Sequence, residues 1–146
     1  MSKFVYVTYI QTTPEKLWEA LIKPEFTKQY WMGVSQISDW KVGSSWNLQF
    51  SDGRVADTGE VLEIDPPRRL VVSWQNEFRQ DLKEEGHSRA TFDIAMVGKV
   101  VMLTVTHEIA REGSKLIEAV SGGWPAILSG LKTLLETGKV LEGWPS

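Results

Sequence analysis

Hydrophobic and polar residues alternate in FVYVTYI (4–10), and its β-branched and aromatic content predicts a strand. TTPEKLWEALIKP (12–24) changes to a helical period, with Leu17, Trp18, Leu21 and Ile22 on one face. Thr12 or Thr13 can cap this helix, Pro14 suits its first turn, and Glu15 and Glu19 complement its positive end. Pro24 stops it and opens a second short helix with Phe26, Tyr30 and Trp31 inward. MGVSQISDWKVGSS (32–45) reads as connecting structure, with room for a short strand near Trp40.

A series of strands follows. SWNLQF (45–50) alternates, and SDGR (51–54) is a hairpin turn carrying Asp52-Gly53. VADTGEVLEID (55–65) is a longer strand in which the glycine marks a candidate bulge. DPPRR (65–69) reverses the chain into LVVSWQ (70–75), and FRQDLKEEG (78–86) reads as an exposed loop. SRATFDIAMV (88–97) and KVVMLTVTHEI (99–109) flank a hairpin at Gly98. SKLIEAVS (114–121) is helical in pattern and runs into GGWPAILSGLKTLLETG (122–138). There Trp124, Ile127, Leu128, Leu131, Leu134 and Leu135 form one stripe, and Gly138 is the expected C′ residue.

The order β-α-α-β-β-β-β-β-α, with consecutive strands joined by tight turns and helices at the ends, predicts an α+β fold. It has a curved antiparallel sheet of about six to seven strands and a long C-terminal helix crossing it. The inward sets are Trp46, Leu48 and Phe50; Leu62 and Ile64; Leu70, Val72 and Trp74; Phe92, Ile94 and Met96; and Leu103 and Val105. Two ionisable residues fall in phase with them, Glu60 and His107. A buried ionisable group is costly unless paired or wetted. Either these two lie at the open rim of the sheet, or they face a polar part of a cavity. In the second case a Glu–His pair could orient a ligand or move a proton.

Composition adds one feature. The 146 residues suit a single domain, 1–146, and include seven tryptophans: Trp18, Trp31, Trp40, Trp46, Trp74, Trp124 and Trp144. They either fill the core or line a cavity within it. The formal net charge of −3 argues against nucleic acid or an anionic membrane as main partner. No apolar run approaches the length of a membrane span, and the N-terminus lacks the features of a secretory signal. A cytoplasmic location is therefore expected.

There is no cysteine, and the two histidines lack metal-helix spacing, so neither metal nor cofactor is expected. No GxSxG elbow, GxGxxG fingerprint or GxxxxGK[ST] loop is present. His87 and the pair Glu84-Glu85 read as solvated loop charges. Arg68 and Arg69 read as anchors of the Pro66-Pro67 turn through ion pairs.

Four phrases carry a resemblance: TTPEKLWEALIKPEFTKQYW (12–31), DTGEVLEIDPPRRLVVSW (57–74), VVMLTVTHE (100–108) and GGWPAILSGLKTLLETG (122–138). Together they resemble the START-like, helix-grip superfamily, also called SRPBCC. The branch is the one similar to the C-terminal domain of the activator of heat-shock-protein-90 ATPase. The resemblance implies a sheet gripping the long helix with an apolar cavity between them. It also implies a helix that begins near Ser114 and bends at Gly122-Gly123-Trp124-Pro125. Trp124 would then face the cavity, or else anchor the core at a helix start. The eukaryotic co-chaperone of this branch has an additional N-terminal domain that binds the chaperone, whereas this sequence opens on the first strand.

Three expectations follow, in order. The first is binding of a small hydrophobic or aromatic ligand, with Trp18, Trp31, Trp46, Trp74, Phe92, His107, Trp124 and Leu128 as the ligand-binding set. The second is a stress-related co-chaperone that stimulates the heat-shock-protein-90 ATPase. The third is a cavity enzyme of cyclase type, with Glu60 and His107 as its candidate acid and base. Exposed sheet edges make either a monomer or a homodimer reasonable.

Overall fold

The computed structural model describes residues 1–143, so Trp144 lies outside the described residues. The chain begins with strand β1 (Ser2–Ile10), then helices α1 (Pro14–Ile22) and α2 (Pro24–Tyr30). Strands β2 (Ser35–Ser38), β3 (Ser45–Gln49), β4 (Val55–Asp65) and β5 (Arg69–Asn76) follow. Next come the short helix α3 (Gln80–Lys83), strands β6 (Ser88–Val97) and β7 (Val100–Ile109), and helix α4 (Lys115–Thr137). The sheet is antiparallel in the order β1-β7-β6-β5-β4-β3-β2. It is the expected α+β architecture of a curved sheet holding a long C-terminal helix.

Local chemistry accounts for the helices. Thr13 Oγ1 accepts from the Lys16 amide at 3.2 Å and caps α1, and Pro14 follows at the first helical position. Ser114 caps α4 by accepting from the Ile117 amide at 3.1 Å, and Gly138 ends it in the left-handed region (φ 74°). α4 is one helix through Gly122, Gly123 and Pro125. Its residues Trp124, Leu128 and Leu131 are buried, and Ile127, Leu134 and Leu135 pack partly buried against the same core. The helix lies chiefly on β1 and β7 and touches all three other helices.

The short extra strand expected near Trp40 is present as Ser35–Ser38. Several other expectations are corrected. The 78–86 segment is not simply an exposed loop. It contains α3, whose Leu82 is buried, and Glu85 reaches from its end to the start of α4. There the Glu85 carboxylate accepts from the amides of Lys115 (2.8 Å) and Leu116 (3.3 Å) and from the Ser114 hydroxyl (2.5 Å). Met96 is exposed, because it lies near the β6–β7 turn, beyond the reach of the helices. Arg68 and Arg69 do anchor their turn, Arg68 on Asp65 and Arg69 on both Glu63 (2.8 Å) and Asp93 (2.7 Å).

The bulge in β4 lies three residues beyond the glycine. Val61 stands opposite Val72 and Ile64 opposite Leu70, so the register slips between Val61 and Glu63. Gly59 has a different reason to be glycine. A Cβ there would lie 1.8 Å from the Ser73 carbonyl oxygen, so the β4 and β5 backbones approach more closely than any other residue allows. Next to it the Glu60 amide donates to Ser73 Oγ at 2.9 Å.

Candidate functional site: a tryptophan-walled cavity with one carboxyl group

The register slip decides which residues of β4 enter the core. The inward set takes in Asp57 and Val61 and passes to Ile64 beyond the slip, while an earlier irregularity opposite Leu48 and Gln49 buries Ala56 and leaves Val55 exposed. Glu60 therefore points outward. It lies in a shallow surface cleft with Thr58, Gly59, Ser73 and His87, remote from His107. The residue that sequence phasing placed outside and the fold places inside is Asp57, 6% exposed. Asp57 Oδ1 accepts from Trp74 Nε1 at 2.9 Å and from Asn76 Nδ2 at 3.3 Å, Asn76 being its cross-strand partner on β5. Burial raises its pKa to about 7 against the lowering effect of those two bonds, and the Glu77 charge adds to the rise.

His107 is not at the rim. Val101, Leu103, Val105, His107 and Ile109 form an uninterrupted buried row along β7, and α4 covers it. On the neighbouring strands it faces Ala90 and Phe4, and the small Ala90 side chain leaves room for the ring. Trp124 Nε1 donates to His107 Nδ1 at 3.1 Å. An indole N–H can only donate, so Nδ1 carries the lone pair and Nε2 the proton. Nε2–H then donates to Ser88 Oγ at 2.7 Å, and the Ser88 hydroxyl donates to the Trp74 carbonyl at 2.9 Å. Both ring nitrogens are thus engaged. Desolvation depresses the pKa of His107 to about 3, so it stays neutral across the physiological range.

The tryptophans gather around Trp74. Its ring centroid lies 4.7 Å from that of Trp46, 5.5 Å from Trp124 and 6.2 Å from Trp31. Trp124 meets Trp31 edge-on at 5.4 Å and Phe92 at 5.7 Å. Trp46 donates to Gln36 Oε1 at 2.8 Å, and the Gln36 amide donates to the Leu21 carbonyl, tying β3 and β2 to α1. With the bonds from Trp74 to Asp57 and from Trp124 to His107, three of the four indole N–H groups of this cluster have a partner.

Between the sheet and the first half of α4 lies a half-enclosed cavity of about 80 Å³. Trp31, Leu48, Asp57, Trp74, Val120, Gly123, Trp124 and Ile127 line it. Of the eight residues expected to bind a ligand, Trp31, Trp74 and Trp124 are on this wall. Trp46, Phe92 and His107 support the wall from behind through ring contacts with Trp74 or Trp124. Leu128 and Trp18 belong to the core packing, outside the lining. The signal that could have found Asp57 is the pair Asp57 and Asn76. They are polar residues on two adjacent strands, in phase with Val61 and with Trp74 respectively.

An α+β sheet gripping a long C-terminal helix over an aromatic cavity defines the START-like, helix-grip class. The chain belongs to the family described as activator of Hsp90 ATPase homolog 1-like protein, which matches residues 11–136. Solved structures resemble it over nearly the whole length. A protein from Cytophaga hutchinsonii is 29% identical, covering 92% of this chain and 94% of that chain with a TM-score of 0.71. The Aha1 dimer from Colwellia psychrerythraea is 21% identical, covering 95% and 99% with a TM-score of 0.77. An HSP90 activator from Plasmodium falciparum is 24% identical, covering 91% and 95% with a TM-score of 0.73. No protein of curated function matches the chain in sequence. Among the described residues, no helix is long and apolar enough to cross a membrane, and no cluster of side chains could hold a metal ion.

Proposed function

We propose that the protein binds a small hydrophobic or aromatic ligand through the cavity between the sheet and α4. The observation that carries this reading is the wall of three tryptophans, Trp31, Trp74 and Trp124, next to open volume rather than packed core. Apolar lining with a few placed polar groups is the usual composition of a ligand site. The volume limits what enters. An apolar cavity of about 150 Å³ takes a benzene ring. About 80 Å³ admits a group of a few non-hydrogen atoms, with the rest of a larger ligand at the open side. Native mass spectrometry of protein from its own host, followed by denaturing extraction, tests the reading. A retained small molecule supports it. An empty protein that also shows no thermal shift across a fragment set rejects it.

A second reading, a chaperone cofactor that stimulates the Hsp90 ATPase, is favoured by family membership and by the Plasmodium falciparum activator of similar fold. It predicts a faster chaperone ATPase with excess protein, and an unchanged rate counts against it. An acid–base reading through Glu60 and His107 has no geometric support, since one lies outside the sheet and the other has no free nitrogen.

A further inference from the structure

We infer that the cavity selects a ligand with a cationic, hydrogen-bond-donating head, an alkylammonium group, seated on Asp57 and against the indole walls. This rests on the cavity being a ligand site. Three observations carry it. Among the described residues, both hydrogen bonds to the Asp57 carboxyl go to Oδ1, and nothing donates to Oδ2. No buried side-chain polar atom of the described residues lacks a partner, so the unbonded Oδ2 keeps accessible surface, and Asp57 stands on the cavity lining. Second, the lining contains one acidic side chain and no basic one. The further charge that acts on Asp57 is Glu77, also negative, and Lys83 is already engaged by it at 3.0 Å. The field inside the cavity is therefore uncompensated and favours a cation. Third, indole rings are the strongest neutral partners for an ammonium ion, and here three of them stand beside the carboxyl group.

The geometry also excludes simpler explanations of Asp57. It makes no ion pair with any described residue and caps no helix. A carboxyl group held in an apolar wall only for stability could be replaced by its neutral isostere at little cost. One that waits for a cation could not be replaced without losing the cation.

Titratable and charged groups around Asp57 are few: Glu77 just beyond β5, Lys83 of α3 beside it, and neutral His107 behind Trp74. His107 is held neutral well below this range by its burial, so it does not mimic the carboxyl group. A cationic ligand needs the ionised carboxylate, so its affinity rises as pH rises through about 7. A neutral ligand of the same shape shows no such rise.

The test is a titration of the full chain with two probes of one shape, tert-butylammonium chloride and tert-butanol, followed through the indole N–H resonances. Near pH 8 the ammonium should bind at least about tenfold more tightly, the scale of a hydrogen bond to a charged group. Its advantage should shrink as pH falls below about 7. In Asp57→Asn the two probes should bind alike. The wild-type pH dependence needs no variant, so it decides the matter even if that substitution disturbs folding. Equal binding of both probes by the wild type overturns the inference and leaves the cavity reading standing. Binding of neither overturns the cavity reading and the inference with it.

Discussion

The indole of Trp124 donates to His107 Nδ1 at 3.1 Å, joining the middle of α4 to the last third of β7 through one buried hydrogen bond. This bond fixes the imidazole tautomer and sets the direction of the relay through Ser88 to the Trp74 carbonyl. It also explains the unusual setting of Trp124 between glycines and proline. Gly122 and Gly123 have no neighbour within 4 Å of where a Cβ would stand, so nothing beside them forces glycine. What matters at this turn of α4 is that the tryptophan reaches the histidine while Gly123 leaves the cavity open.

Removing the acceptor should therefore be costly. His107→Ala leaves a buried indole N–H without a partner and opens a void beside Trp74. The expected loss is about 3 kcal/mol in urea unfolding, from an orphaned donor plus a cavity. A loss below about 1 kcal/mol would show that the relay contributes little.

His107 and Asp57 should also shape the pH dependence of stability in opposite directions. His107 has a folded pKa of about 3 against 6.5 unfolded, so over that window the unfolded chain binds the extra proton and stability falls as pH falls. Asp57 has a folded pKa of about 7 against 3.8, so the folded chain binds the extra proton and stability falls as pH rises. The surface carboxylates with depressed pKa values, such as Glu77 at about 2, act mainly below their ordinary 4.5. Between about pH 4.5 and 6.5 the two buried groups should largely cancel, giving the wild type a flat profile. Asp57→Asn should unmask a stability that climbs with pH by up to about 1.4 kcal/mol per unit. Chemical denaturation at several pH values measures this, and equal slopes in wild type and variant would contradict it.

Gly59→Ala should be among the most damaging small substitutions in the chain. The new methyl would lie 1.8 Å from the Ser73 carbonyl oxygen, a backbone atom that cannot rotate away. Overpacking of this kind costs about 3 kcal/mol or more. A melting temperature within a few degrees of wild type would show that β4 and β5 separate easily at this point.

Gly123→Ala should do the reverse. No steric conflict meets its methyl, and alanine is favoured over glycine inside a helix by about 0.5–1 kcal/mol. The methyl stands on the cavity lining and takes part of the volume. The variant should melt higher than wild type and lose affinity for a ligand found in the cavity. Higher stability with unchanged affinity would place the binding site elsewhere.

Much of the fold was legible in the chain because its cues are local. Alternation located β3 through β7, Thr13 and Pro14 marked the start of α1, and Gly138 marked the end of α4. The strands of the 55–65 and 88–97 segments have the bounds that their patterns suggested. The helical stripe from Trp124 to Leu135 named the face that the sheet covers. Ser35–Ser38 was less clear, because a short edge strand carries too few residues to show a period. The Glu85 cap was invisible, because its partners lie about thirty residues away in sequence.

The site followed a different rule. Sequence by itself determined which strands exist, which helix crosses them, and that tryptophans would concentrate inside. Only the tertiary structure decided which polar residues join them. The slip after Val61 turned Glu60 to the surface and left Asp57 in the core, because side chains in a strand alternate with a period of two. A slip is set by how two strands pair, here β4 with β5, and no pattern within one strand records it. His107 shows the same dependence. Its phase was readable along β7, but its tautomer, its neutrality and its structural role come from Trp124 and Ser88, which only folding brings to its two nitrogens.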